Sequence, residues 1–238
     1  MMEFLKIAHR GYSEILPENT IPAFLKAAEC GAEMIEFDVH LSKDGRAVVI
    51  HDNDIDRTSN GSGAVKDFTL NELKTYDFNF LKIPSLGRVS LPTLEEVIDA
   101  VPERILLNIE LKNCPHKYEG IEETVIEIIK KKQSVGRVII SSFDHFALEK
   151  VKKILPSVKT GMLYEGGWVY FREEVEFLKL YSIHPAIDTV DLDQLRWARS
   201  QGLRVYPWVA KNKKEISFLK NHDIADGVMV NDLSLFET

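Results

Sequence analysis

Short apolar runs alternate with amphipathic, helix-forming stretches from one end of this 238-residue chain to the other. The apolar runs fall at 5–8, 34–39, 105–111, 137–141, 159–164, 181–184, 203–208 and 227–230. Most are rich in Ile and Val and apolar on both faces, as parallel strands covered by helices tend to be. Between them, the spacing predicts helices over 23–30, 93–100, 120–133, 144–154, 191–200 and 213–220. Asn19 or Thr20, Thr93, Asp144 and Asp191 stand where N-caps belong. Strand then helix, repeated about eight times, points to a closed parallel barrel or a doubly wound sheet. Polar residues gather at the C-terminal ends of the runs, which favours a TIM-type (β/α)8 barrel. The length suits one domain over 1–238.

Two segments break the rhythm. HLSKDGRAVVIHD reads as a β-hairpin growing out of the second strand, with its turn at Lys43-Asp44-Gly45. With the turn near Asp44, Leu41 faces Ala47, Val39 faces Val49 and Phe37 faces His51. Residues from about 52 to 92 are too many for a βα loop and predict a small insertion at the barrel mouth, with a short helix near 70–76.

The chemistry-bearing residues lie at strand ends. His9-Arg10-Gly11 closes the first run, although a lone histidine there also suits a structural role. Glu36 and Asp38, two apart in a strand, project from one face. Two neighbouring carboxylates in an apolar run persist only if a proton or cation relieves them, unless one stands above the rim in solvent. Glu110 and Lys112 repeat this spacing, as a third carboxylate with an ammonium or as a structural ion pair. The hairpin register brings His51 back to the height of Glu36 and Asp38, and a slip of one residue would turn it away. Two imidazoles, an arginine, a lysine and three carboxylates form a set for phosphodiester cleavage. All-oxygen ligation suits one divalent cation, Mg²⁺ or Ca²⁺, with Mn²⁺ also compatible.

The formal charge of −7 argues against nucleic acid as a partner. No apolar run is long enough for stable membrane insertion. The two cysteines, Cys30 and Cys114, form no C-x-x-C pair, so a reducing, cytoplasmic location is expected. Oligomeric state is not legible.

The segments AHRGYSEILPENTIPAF, IEFDVHLSKDGRAVVIHD, DRTSNGSG, LPTLEEV and NIELK resemble the glycerophosphodiester phosphodiesterase family, with weaker matches in SSFD, VYPWV and ADGVMVN. The resemblance implies His9 and His51 as an acid–base pair, Glu36, Asp38 and Glu110 as metal ligands, and Arg10 and Lys112 on the phosphate. It implies cleavage of a small-molecule glycerophosphodiester to glycerol 3-phosphate and an alcohol. It also suggests attack by the neighbouring glycerol hydroxyl through a cyclic phosphate. Trp208, at a strand end, is expected to wall the substrate pocket. Asn19 and Thr20 read as a helix start, Glu18 as a group orienting Arg10, and Arg57 as an anchor of the insertion. His184 ends a strand outside any family motif, while His40, His116, His145 and His222 are expected in solvent. Val209-Ala210 and Val230-Asn231-Asp232 depart from the family pattern in ways expected to leave the catalytic set alone but to alter the pocket's far wall. The nearest rival is phospholipase D-like hydrolysis of lysophospholipids, with an apolar entry from Phe78, Phe80 and Leu81.

Overall fold

The computed structural model describes residues 4–81, 83–114, 117–167 and 169–237. The strands are β1 (Leu5–His9), β2 (Met34–Leu41), β3 (Ala47–Val49), β4 (Leu106–Leu111), β5 (Val138–Ser142), β6 (Lys159–Tyr164), β7 (Ser182–Pro185), β8 (Arg204–Val205) and β9 (Gly227–Val230). The helices are α1 (Ile21–Glu29), α2 (Leu70–Leu73), α3 (Leu94–Ala100), α4 (Ile121–Lys131), α5 (His145–Ile154), α6 (Phe171–Leu178), α7 (Leu192–Ser200) and α8 (Lys213–Asn221). Neighbouring strands run in the order β8-β7-β6-β5-β4-β2-β1-β9, with β3 paired to β2 outside that path. The β8 and β9 edges meet through backbone bonds from Asp226 to Val205 and from Met229 to Pro207, which brings the parallel sheet round into a barrel.

Alternation along each strand divides two cores. Ile35, Phe37 and Val39 of β2 face the helices, where Phe24 and Phe37 pack with ring centroids 5.4 Å apart. Each such fully buried ring stabilises the fold by about 1.5–3 kcal/mol relative to exposure. Met34, on the other face, joins Ile7, Ile139, Tyr206 and Met229 to plug the barrel axis. Two residues further along each strand, the same face reaches the mouth. This period of two decides which side chains meet there.

Helix starts follow local chemistry. Thr20 caps α1, Thr93 closes a capping box with Glu96 on α3, and Asp144 and Asp191 cap α5 and α7. The helix α6 is one that the sequence pattern leaves out, because Tyr170 at its N-cap makes no side-chain capping bond. The expected run at 203–208 shrinks to two residues of regular ladder, since Pro207 has no N–H to donate. The chain still pairs once more, at Ala186 with Trp208.

The hairpin has the expected register, with Val39 opposite Val49 and Leu41 opposite Ala47. Beyond it, residues 52–92 wrap a separate apolar cluster in which Ile55, Val65, Leu73, Phe78, Val89 and Leu91 pack on Val48 and Ile50 of the hairpin. Phe78 is therefore spent on that cluster and offers no entry for an acyl chain, whereas Leu81 is exposed. Among the described residues, no helix is long and apolar enough to cross a membrane.

Candidate active site

After β1 the chain turns through two left-handed residues, Arg10 (φ 58°) and Gly11 (φ 81°). Gly11 is required twice over: a Cβ there would lie 2.8 Å from the Ala23 backbone. The turn points the Arg10 backbone N–H at Glu36 Oε2 (3.1 Å) and its guanidinium at Glu18 Oε1 (2.9 Å) and Asp38 Oδ2 (3.5 Å).

Glu36, Asp38 and Glu110 present one oxygen each within 4.8 Å of one another, all buried. Adjacent β2 and β4 place Asp38 directly beside Glu110. Burial first, then the Asp38 and Glu110 charges, push Glu36 well above the usual carboxylate range. Burial also drives Glu110 up to about 7, against the pull of Lys112. Burial raises Asp38 as well, but Lys112 and Arg10 outweigh it and hold this carboxyl below its ordinary value. Lys112 reaches Glu110 Oε1 at 2.7 Å and Asp38 Oδ1 at 3.2 Å. Two of the three carboxyls thus resist ionising in the protein alone, and a hard cation among three oxygens relieves that strain. The donor set fits one divalent ion.

The two imidazoles differ in what stands behind them. His9 Nδ1 donates to Asn231 Oδ1 at 2.7 Å, since an amide oxygen only accepts, and its Nε2 lies 3.9 Å from Glu36. Burial first, then Arg10, lowers His9 to about 4. His51 Nδ1 donates to Asp52 Oδ1 at 2.6 Å. Arg57 holds Asp52 through Nε at 2.7 Å and spans to Glu18 at 2.8 and 2.9 Å. Glu18 therefore joins Arg10 to the Arg57–Asp52–His51 chain. His51 also lies below its ordinary value, by burial first and then by Lys112 and Arg10.

A pocket of about 240 Å³ is lined by His9, Arg10, Glu36, His51, Glu110, Lys112 and Trp208, together with Phe143, Leu163, Glu165 and Met229. Asp38 sits beneath it, 1 % exposed. A larger hollow of about 480 Å³ between Asp99 and Arg137 lies at the opposite end of the barrel, away from this cluster.

Several residues belong to the site that sequence reasoning placed elsewhere. Asn231 touches His9, so the departure at Val230-Asn231-Asp232 does reach the proposed catalytic set. Its position was legible: it follows Met229 by two and shares that lumen face. Asp52, which the sequence offers only as the start of the insertion, adjoins His51. Asn19 starts the helix segment but also donates to Asp38 Oδ2 at 2.8 Å. His40 is not in solvent: it is 1 % exposed, donates Nε2–H to the His51 carbonyl and accepts from the Tyr118 hydroxyl. His145 is half-buried, bonded to Glu174 and to the Leu163 carbonyl. His184 is fully buried beside Ser182, and His222 is exposed as expected. His116 lies outside the described residues.

Similarity to known proteins extends over nearly the whole chain. The model of the glycerophosphoryl diester phosphodiesterase family matches residues 9–235. A glycerophosphodiester phosphodiesterase of Caldanaerobacter subterraneus subsp. tengcongensis is 41 % identical, over 97 % of this chain and 95 % of that protein. One from Bacillus subtilis is 34 % identical, over 98 % and 85 %. The structure of an Oleispira antarctica phosphodiesterase, solved with the product sn-glycerol-3-phosphate, superposes with a TM-score of 0.88 at 30 % identity, covering 95 % of this chain and 92 % of that one. A Thermotoga maritima glycerophosphodiester phosphodiesterase gives 0.81 at 30 %, covering 99 % and 98 %. With a family match over nearly its whole length and relatives this close, the chain belongs to the glycerophosphoryl diester phosphodiesterase family.

Proposed function

We propose that this site hydrolyses glycerophosphodiesters to glycerol 3-phosphate and an alcohol, with His9 and His51 exchanging protons and Arg10 and Lys112 holding the phosphate. The observation that carries this reading is the convergence of three buried carboxylates, within 4.8 Å of one another, at the base of a pocket that two imidazoles line. Glu36, Asp38 and Glu110 hold one divalent cation, Mg²⁺, Ca²⁺ or Mn²⁺. When bound, the cation supplies Lewis-acid stabilisation of charge developing at the phosphate.

The hydrogen bond from His9 Nδ1 to Asn231 leaves Nε2 with a free lone pair toward the pocket. That lone pair takes the proton of the neighbouring glycerol hydroxyl as its oxygen attacks phosphorus. Asp52 favours the imidazolium of His51 against the lowering by burial, and in that form His51 gives its Nε2 proton to the departing alkoxide. Water then opens the cyclic phosphate with the roles reversed: His51 accepts the water proton and His9 returns its proton to the glycerol oxygen. Each imidazole ends as it began. Arg10 and Lys112 stay charged throughout, because neighbouring carboxylates outweigh the effect of burial and raise both groups. Cys30 and Cys114 are unpaired and exposed, which supports a cytoplasmic location.

The test is release of glycerol 3-phosphate from glycerophosphocholine and glycerophosphoethanolamine, with EDTA and with each cation. Metal-dependent release is expected, and His9→Ala or His51→Ala lowers turnover by roughly 10²–10⁴-fold. Near-normal turnover in either variant removes that histidine from the mechanism. A lysophospholipid is the second reading, favoured by Phe146 in the first turn of α5 and Val169 and Tyr170 just before α6, exposed by 77, 89 and 69 % at the same end of the barrel. Cleavage of lysophosphatidylcholine in preference to glycerophosphocholine decides for it.

A further inference from the structure

Barrel interiors are filled mainly by bulky branched side chains, but beside the carboxylates this one is polar. Asn108 of β4 and Ser141 of β5 are fully buried, and neither polar atom of the Asn108 side chain nor the Ser141 hydroxyl has a hydrogen-bond partner among the described residues. Buried polar groups without partners are rare in folded proteins and commonly mark a functional contact. Both side chains face the lumen. Asn108 follows Leu106 by two and Ser141 follows Ile139 by two, and Leu106 and Ile139 pack in the axial plug with Ile7 and Met229.

The strand registers show what each can reach, because paired positions on neighbouring strands stand about 4.8 Å apart and send their side chains to one face. One row across the sheet runs His9, Glu36, Asn108, Ile139, and another runs Asp38, Glu110, Ser141, Gly161, Ser182. Asn108 therefore has Glu36 on one flank and an apolar side chain on the other. Ser141 has Glu110 on one flank and a glycine on the other. The gap at Gly161 is taken by His184, whose Nε2 would lie 2.5 Å from a Cβ there and is already engaged by the Ser182 hydroxyl at 2.8 Å. For each orphan, the one free polar neighbour in register is a carboxyl of the candidate cation set. Those carboxyls have room for a donor. Among the described residues, hydrogen bonds reach the Glu36 carboxyl only at Oε2, from the Arg10 backbone, and the Glu110 carboxyl only at Oε1, from Lys112.

We propose that Asn108 and Ser141 are positioning residues for the cation site: the Asn108 amide donates to Glu36 and the Ser141 hydroxyl to Glu110 when these two hold a cation, and so fix their oxygens toward it. The inference rests on the divalent-cation reading above. Hydrogen bonds of this kind behind metal-ligating carboxylates orient them and strengthen binding.

The experiment is titration calorimetry of Mn²⁺ and of Mg²⁺ into EDTA-stripped protein, beside the melting temperature of the same metal-free protein. Loss of a hydrogen-bond partner behind a metal ligand costs about 10–100-fold in metal affinity. Asn108→Leu and Ser141→Ala should each weaken the cation Kd on that scale. The metal-free melting temperature should stay at the wild-type value or rise, because an orphaned polar group has been replaced by an apolar one. A residue that serves packing alone would do the reverse, lowering the melting temperature and leaving affinity unchanged. Thr160→Val is the control. Its hydroxyl is equally buried and unpartnered, but Thr160 lies on the helix-facing side of β6 with Met162 and Tyr164, so cation affinity should not move. Asn108→Ala takes the place of the leucine variant if melting shows that leucine is not accommodated. Unchanged affinity in one variant removes that residue from the assignment. Unchanged affinity in both, with wild-type protein binding the cations, overturns the proposal and leaves the cation reading intact. Binding of neither cation by the wild-type protein overturns both.

Discussion

Asp52→Asn is the perturbation that asks most of the site's geometry. It keeps the side chain's shape and removes its charge. Arg57 donates to both Asp52 oxygens, through Nε to Oδ2 at 2.7 Å and Nη2 to Oδ1 at 3.2 Å, and His51 Nδ1 donates to Oδ1 at 2.6 Å. An amide has one oxygen. Placing it against the shorter Arg57 bond leaves the NH₂ facing both His51 Nδ1 and Arg57 Nη2. His51 must then give up its Nδ1 proton or lose the contact, and either outcome disfavours the imidazolium that protonates the leaving group. A hydrogen bond to a charged partner contributes about 1.5–3 kcal/mol, with the lower end apt for side chains 26 and 31 % exposed. Since ~1.4 kcal/mol is tenfold, kcat should fall about 10- to 100-fold. KM should change little, because Asp52 is not among the residues lining the pocket. His51 is already below its ordinary value, and Asp52 is one of the groups that raise it. Removing that charge moves the basic limb of the kcat profile to lower pH. Glycerol 3-phosphate release across pH 5–9, with the melting temperature as a folding control, reads all three effects. A kcat within twofold of wild type and an unmoved basic limb would show that Asp52 does not orient His51.

Two further outcomes are expected. Glu110 stands at about 7 in the fold against its ordinary 4.5, so between those values the folded chain binds the extra proton and stability falls as pH rises. Saturating Mg²⁺ or Ca²⁺ should therefore raise the melting temperature by about 5–10 °C at pH 8 and by less at pH 5, where protons compete for the same oxygens; a pH-independent shift in calorimetry would refute this. Gly11→Ala forces a side chain onto the Ala23 backbone at 2.8 Å from a left-handed turn, and should cost about 2–4 kcal/mol in urea unfolding, a loss that an unchanged midpoint would rule out.

Much of the mouth was legible because strands alternate strictly. Counting by twos pairs Glu36 with Asp38 and Glu110 with Lys112, the end of the first run sets His9 at the same mouth, and counting back from Asp44 sets His51 beside the carboxylates. The same rule, continued past β9, reaches Asn231. Asn231 lies just beyond the apolar run, in a segment that the sequence weighs against the family pattern and not by strand alternation. His40 was misplaced for a different reason. Its polarity suggested solvent, but its hydrogen bonds go to Tyr118, 78 residues away, and to the His51 carbonyl. Partners so distant in sequence leave no local signature. The helix α6 escaped because the usual N-cap side chain is missing, and β8 was over-extended because an extended chain with a proline still looks like a strand.

Glu18 joins two parts of the chain that have separate apolar cores. It grips Arg10, from the barrel's first turn, and Arg57, from the segment over the hairpin. That segment therefore cannot be exchanged as an independent cassette. Any graft of 52–92 from a relative has to bring a guanidinium to the position of Arg57 and accept the carboxylate already waiting at Glu18. A chimera that matches loop length but not this pair should fold around its own apolar cluster and yet leave His51 without its support. In recombination between relatives, the crossover points that preserve activity are those that inherit Glu18, Asp52 and Arg57 together.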